Sequence, residues 1–430
     1  MNNILQKALT LSYFLSCLIN YTSAQELKKL ELINAYNLAE KNYPLIVNDQ
    51  LLQSVTALNL EIIAKERLPS ITGNFEGRIQ SDNVSIGTGD PNSPLNLEVP
   101  LESHNAYVDI NFNLYDGGVT AAEKRIEQAN LKVNQQQLKV NLRAIKDRIN
   151  VLFFSIMLSR QQKVLLKTSI EDIEANIQTL QAGYDNGTVL ESELSKLKVR
   201  KLELQSDELR LDGDIKAYFS VLEHLVGTPL NTNTELTLPP FSESMIDGNI
   251  SRPEQDLYDF EKELLTSQVG IINASRNPKI SIFAQGGFGY PNPLNFSDIA
   301  TSTFALGGVR INWKIIDWNK ANKEREKLDI LLQQIQVKKQ TFEFDIASRE
   351  DEYRQKIAAL IQQLENDRKI VTLQQDILKQ TETQLNNGII NSNDYLIQVN
   401  AELSARLQLE LHTVQLQQLQ IDYLTLFGIL

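Results

Sequence analysis

One cysteine in 430 residues, Cys17, excludes a disulfide framework, and it lies in the first apolar stretch, so a chain shortened past that stretch carries no thiol. Histidine is almost as scarce. His104, His224 and His412 have none of the mutual spacing a zinc site uses, and neither a serine-nucleophile motif nor a phosphate-binding glycine loop occurs. An enzyme is therefore not expected, and neither a cofactor nor a metal. After the start, no apolar run approaches the ~20 residues a spanning helix needs, which excludes helical membrane insertion there. Basic charge is also short. Lys and Arg number 42 against 54 Asp and Glu, for a net charge of -12, and they alternate with Glu, Asp and Gln instead of clustering. That distribution argues against nucleic acid as a partner, because phosphate binding wants grouped cations.

The start reads as an export signal over residues 1–24: Lys7, an apolar core from Ala8 to Ile19, then Thr22-Ser23-Ala24 before Gln25, the small residues a signal peptidase needs. Cleavage is expected after Ala24. Acylation of Cys17 is the alternative, but Phe14-Leu15-Ser16 makes a poor lipobox and Leu18-Ile19 continues the apolar core.

What the chain does have is a tandem duplication. A shift of 201 residues lays Asn111 on Asn312, Phe112 on Trp313, Asp116 on Asp317, Asn186-Gly187 on Asn387-Gly388, and Gly227 on Gly428. Upstream, Pro44, Arg67, Pro69 and Ile71 match Pro253, Arg276, Pro278 and Ile280 at a shift of 209. The offset changes by 209 − 201, or 8, residues, which places a longer loop of the first copy between Ser81 and Ser103, rich in Gly, Pro, Asn, Asp and Ser. The first repeat is expected over 25–227 and the second over 253–430, with 228–252 as an irregular crossover.

Within each repeat the apolar period changes. A helical pattern over Leu30 to Lys65, broken at Pro44, gives way to strict alternation: Ile71, Gly73, Phe75, Gly77 and Ile79, then Ala106, Val108, Ile110, Phe112 and Leu114. This predicts a β-hairpin at 71–80 and 104–115, and its counterpart at 279–290 and 301–315. In the second hairpin Ile280, Ile282, Ala284, Gly286 and Phe288 form one apolar face; Phe304 and Leu306, then Val309, Ile311 and Trp313, form another only if a bulge falls at Gly307-Gly308. A half-buried soluble sheet is the plain alternative. The strand lengths suit a tilted crossing of a bilayer, the polar face suits a wet lumen, and the export signal fits both. Tyr115, Tyr290, Trp313 and Trp318 stand near strand ends, where interface aromatics are expected. Four strands cannot close a membrane barrel, so a membrane location requires oligomerisation; two copies give eight strands and three give twelve.

After each hairpin a helix of roughly 65 residues is predicted (119–183 and 320–385), about 100 Å long at 1.5 Å per residue. Apolar positions recur at sevens: Ile126, Val133, Val140; Leu142, Ile149, Ile156; and Ile357, Leu364, Val371, Leu378, Leu385. That is the spacing of left-handed coiled-coil packing. Asn186-Gly187 and Asn387-Gly388 end these helices, and return helices follow over 190–227 and 392–428.

A signal peptide followed by two copies of helix, hairpin, long helix, Asn-Gly turn and return helix, with an acidic residue six positions after each turn glycine (Glu193 and Asp394), resembles the TolC family of outer-membrane efflux proteins. The resemblance covers nearly the whole chain after the signal and rests on the ordered duplication. It implies an α+β membrane protein: a homotrimer with four strands per chain in a twelve-stranded outer-membrane β-barrel, and long coiled-coil helices in a periplasmic α-barrel. It further implies a passive exit duct in outer-membrane lipid, coupled through a periplasmic adaptor protein to an inner-membrane pump or ABC transporter. Asn186, Gly187, Asn387 and Gly388 would dock the adaptor. Asp394 falls where the family narrows its mouth and Glu193 holds the equivalent place, although first-turn carboxylates also favour a helix by themselves. Ile397 and Ile390 replace an aspartate and an arginine of the well-known member, so an apolar ring is expected in their place. An exit duct for secreted proteins, and a periplasm-spanning scaffold without a pore, are the alternatives.

Overall fold

The computed structural model describes residues 27–82, 84–86, 97–242, 250–295 and 299–430. The expected export signal and Cys17 lie outside the described residues, as does part of the loop between Ser81 and Ser103. In chain order the elements are β1 (Lys29–Glu31), α1 (Leu32–Asn42), α2 (Val47–Lys65), β2 (Ser70–Ile79), β3 (Val84–Ile86), β4 (Leu97–Val99), β5 (Glu102–Tyr115), α3 (Val119–Asp185) and α4 (Glu191–Val226). There follow β6 (Glu235–Thr237), α5 (Pro253–Ala274), β7 (Lys279–Tyr290), β8 (Ser302–Asn312), α6 (Lys320–Asn386) and α7 (Ser392–Phe427). Both α3 and α6 have 67 residues, and both α4 and α7 have 36. The contacts divide the chain into two units.

The unit made of Val47–Gln137 and Pro253–Gln340 holds a four-stranded antiparallel sheet in the order β2-β5-β7-β8. The two hairpins of the duplication thus join through β5 and β7. Alternation in sequence becomes two chemically distinct faces. Ile71, Phe75, Val108, Ile110, Ile282, Phe288, Val309 and Ile311 are exposed on one. Asn74, Glu76, Asn105, Tyr107, Asp109 and Gln285 lie across from one another on the other, where the Tyr107 hydroxyl donates to Glu76 Oε1 at 3.2 Å.

The expected bulge at Gly307-Gly308 is absent. Gly307 pairs with Ala284 and Gly308 with Phe283 in unbroken register, so Phe304 and Leu306 belong to the polar face and the apolar side chains change face at the glycines. Gly308 makes room for a ring: a β-carbon there would stand 3.0 Å from Phe283 Cζ, and the Arg310 guanidinium lies 4.8 Å from that ring's centroid. The register shift falls instead between Asn113 and Tyr115 against β7. Strand β8 also ends at Asn312, so Trp313 lies just beyond it, with its indole N–H donating to Arg276 O at 3.1 Å.

Each long helix begins on the duplicated aspartate. Asp116 accepts from the N–H of Gly118 and Thr120, both at 2.8 Å, and Asp317 accepts from Asn319 at 3.0 Å and Ala321 at 3.3 Å. These carboxylates satisfy first-turn donors that a helix leaves unpaired. The turn needs two left-handed residues. Gly117 and Gly118 supply them at φ 78° and 94°, whereas in the second copy Trp318 and Asn319 adopt φ 53° and 67°.

The other unit comprises the chain up to Ile46 with Leu138–Arg252 and Thr341–Leu430. Strand β1 pairs in parallel with β6, and α1 buries Leu32, Ala35, Tyr36 and Ala39. Sevenfold spacing marks the packed seams: Leu142, Ile149 and Ile156 are buried, as are Leu166, Ile173 and Leu180, Leu197, Leu204 and Leu211, and Ile357, Leu364 and Val371. Burial of each such side chain contributes about 1.5–3 kcal/mol. At the start of α3 the buried series is Ala122, Ala129 and Gln136, while Ile126, Val133 and Val140 are half-buried. Small residues take the seam there because α5 comes close: a β-carbon on Gly270 would stand 3.4 Å from Ala122 Cβ.

Candidate functional site

The turns that join α3 to α4 and α6 to α7 are built alike. Gly187 and Gly388 have φ 75° and 69°. Their N–H groups donate to Tyr184 O and Leu385 O, each at 2.9 Å, and the next residues, Thr188 and Ile389, donate five back to Gly183 O and Gln384 O, also at 2.9 Å. This is the Schellman closure, which satisfies the last carbonyls of a helix and requires a left-handed residue. A β-carbon at either glycine would meet nothing within 4 Å, so backbone conformation and not space demands glycine there. Asn186 and Asn387 each donate from Nδ2 to the carbonyl four residues back, Ala182 O and Thr383 O, at 2.8 Å.

The starts of the return helices differ. Asn391 caps α7, its Oδ1 accepting from Asn393 N at 2.9 Å and Asp394 N at 3.1 Å, whereas Leu190 stands at the same place before α4 and offers no acceptor. The pattern Asn-Ser-Asn-Asp ahead of an apolar helix carries a capping signal that the reading of the turn glycines passed over. Glu193 does something its position alone could not reveal: its Oε2 accepts from the backbone N–H of Ser392, at 2.8 Å and 199 residues away. The first turn of α4 thus caps the first turn of α7. Lys196 Nζ stands 2.8 Å from Glu193 Oε1. The hydrogen bond from Lys196, then those from Ser392, hold the Glu193 carboxyl below the ordinary glutamate range despite partial burial.

The other site residues separate. Asp394 is exposed, and among the described residues its carboxylate has no ion-pair partner. Ile397 is exposed on α7, two turns from the glycine, while Ile390 is half-buried against the cluster of Leu180, Leu385 and Tyr395. The structure therefore does not bring the two isoleucines into one patch of this chain. Between α4 and α7 lies an open groove of about 590 Å³ whose walls include Lys196, Val199, Arg200, Asn393, Leu396 and Ile397.

At the sheet, the aromatics sort by strand end. Tyr115 closes β5 and Trp313 follows β8 at the helix-bearing end, whereas Tyr290 ends β7 at the opposite end and stacks on His104 with centroids 6.4 Å apart. Trp318 is 90% exposed. His412 is buried with Nδ1 2.6 Å from Asp367 Oδ2, and no metal-binding cluster exists among the described residues.

Neither a family sequence model nor a curated protein sequence matches the chain. Solved structures do. The outer membrane protein VceC of Vibrio cholerae superposes with a TM-score of 0.63 at 12% identity, covering 92% of this chain and 96% of that one. CusC, described in terms of folding and transmembrane channel formation, gives 0.65 at 13% identity over 94% of this chain and 93% of its own. The CmeC outer membrane channel of Campylobacter jejuni gives 0.61 at 14% identity over 92% and 85%.

Proposed function

We propose that this chain, whose fold is that of the TolC-family outer-membrane channels, is the outer-membrane exit duct of an efflux system, passive in itself and driven by an inner-membrane pump through a periplasmic adaptor. The observation that carries the reading is the sheet. Its strands are 10–14 residues long, close to the ~9–11 that a tilted bilayer crossing needs; one face exposes Ile71, Phe75, Val108, Ile110, Ile282, Phe288, Val309 and Ile311, and the other is mainly polar. An apolar outer and polar inner face is what lipid on one side and water on the other require.

Closure comes from copies. Strands β2 and β8 each have one neighbour, so both edges carry unpaired N–H and C=O groups, which lipid does not tolerate. Pairing β2 of one copy with β8 of the next satisfies them, and three copies give the twelve strands of the family's barrel. The same pairing accounts for two exposed stripes. Val47, Leu51, Val55, Leu58 and Ile62 run along one face of α2, which leads into β2, and Ile330 and Val337 lie seven apart on α6, which follows β8. A subunit boundary through β2 and β8 brings both stripes to the same seam and covers them.

Tyr115, Tyr290, Trp313 and Trp318 are proposed as the interface aromatics. The turns at Asn186-Gly187 and Asn387-Gly388 are proposed as the adaptor-facing end, with Asp394 as the charge at the constriction and Ile397 beside it.

The test is single-channel recording from the purified oligomer in a planar bilayer, with subunit mass measured on the same sample. A trimer that conducts supports the duct. An intact trimer that carries no current, even after the two turns are truncated, would establish a periplasmic scaffold instead.

A further inference from the structure

One buried polar residue of the first repeat touches both the long helix and the return helix of the second. Asn176, on α3, is 2% exposed and lies in sequence between Ile173 and Ile177, both members of one buried apolar cluster. Its Nδ2 lies 2.7 Å from the Tyr395 hydroxyl on α7, 3.3 Å from Glu382 Oε1 on α6, and 2.9 Å from Asp172 O of its own helix. Tyr395 is 1% exposed, among the largest fully buried side chains of the chain, and burial pushes its phenol above the ordinary tyrosine range.

We infer that Asn176 is a positioning residue that fixes the register of α7 against α3, and through it the resting width of the mouth at the helical turns; the second half of this statement rests on the duct reading. Leucine and isoleucine knobs repeat every seven residues, so a slide by one repeat or a rotation into a neighbouring hole costs little packing. A buried amide with a single buried hydroxyl in reach favours one register, because any other leaves the Tyr395 hydroxyl without this partner and the amide with only its contacts to Asp172 O and Glu382, in a medium that cannot hydrate them. Leu166, Ile173 and Leu180 on α3 and Tyr395, Val399 and Leu403 on α7 belong to one apolar cluster, which also takes in Leu197 and Leu204 of α4. Tyr395 is the fourth residue of α7 and lies seven after the turn glycine. A register held at Tyr395 is therefore held where α7 meets the turn, and not at its far end.

The test replaces both partners. Asn176→Leu with Tyr395→Phe removes the polar pair while keeping side-chain volume, so the trimer is expected to assemble with its thermal midpoint unchanged or raised. Tyr395→Phe alone, which removes only the hydroxyl, is the milder variant. In a Cys17→Ser background, spin labels on Gln178→Cys and Ser404→Cys, both exposed, report the distance between α3 and α7. The expected result is a narrow distance distribution in the wild-type interior that broadens or becomes bimodal in the double variant, with mean single-channel conductance rising at least twofold. Unchanged distances in the double variant would overturn the inference. Altered distances with unchanged conductance would overturn the link from register to mouth width. Altered distances with no current from any form, wild type and the turn-truncated trimer included, would confirm the register role and refute the duct.

Discussion

Removing the Glu193 carboxylate should loosen the two helical turns from one another. The bond at stake joins Glu193 Oε2 to the Ser392 N–H at 2.8 Å, with the glutamate side chain only 19% exposed. A hydrogen bond to a charged acceptor contributes about 1.5–3 kcal/mol, and its loss leaves the Ser392 N–H without this acceptor while Asn391 still caps Asn393 and Asp394. Glu193→Ala is therefore expected to shift the equilibrium between joined and separated turns by about 10- to 100-fold, since 1.4 kcal/mol is a factor of ten. Glu193→Gln keeps an acceptor and loses the charge, which should cost about 1 kcal/mol. Lys196→Ala removes an ion pair with one partner 44% exposed, and solvent screening leaves about 0–1 kcal/mol there. The ranking Ala, then Gln, then the lysine variant separates a backbone cap from a simple surface charge. The assay is open probability in planar bilayers together with amide hydrogen exchange at Ser392. Because the folded-state pKa lies below the ordinary glutamate value of about 4.3, the contribution is complete above that value and disappears as pH falls through the folded one. Open probability set by this bond should thus be flat from pH 5 to 8. A Glu193→Ala channel whose gating and exchange at Ser392 both match wild type would refute the reasoning.

Three further outcomes follow from other parts of the chain. Val108→Arg places a charge on the exposed apolar face of a central strand, a change that costs about 2–4 kcal/mol at a bilayer midplane, and should abolish recovery of trimer from membranes while an arginine at Asn105 on the opposite face does not. Trp318→Gly relieves a left-handed backbone at φ 53° that costs a side-chain-bearing residue about 1–2 kcal/mol; the thermal midpoint in detergent should rise, and retention in bilayers should fall if the exposed indole anchors the interface. Burial pushes Asp422 up to about 6 although Asn150 Nδ2 donates to it at 3.1 Å. A raised carboxyl pKa contributes stability that is complete at low pH and lost as pH rises through 6, so unfolding midpoints should fall between pH 4 and pH 6.5, and Asp422→Asn should flatten that dependence.

Period and punctuation made much of this architecture legible in one dimension. Alternation at two and recurrence at seven distinguish strands from packed helices because side-chain direction along a backbone is a local property. Asn-Gly turns are equally local, since only the left-handed residue completes the closure at Gly187 and Gly388. The duplication, read by a constant shift, showed that the hairpins come as equivalents, and Asp116 and Asp317 do the same capping work in both. Where local and global requirements differed, the sequence misled. Two glycines in a strand suggested a bulge, yet the strand stays in register and Gly308 serves the Phe283 ring of the neighbouring strand, while the true register shift at Asn113 depends on β7. The order β2-β5-β7-β8, which leaves both outer strands open, follows from which hairpins meet and has no local signature. So does the role of Glu193. Six residues after a turn glycine it looks like a first-turn acid equivalent to Asp394, and only the folded chain carries it to a backbone N–H 199 residues away, because the contact depends on two helices meeting and not on either one alone.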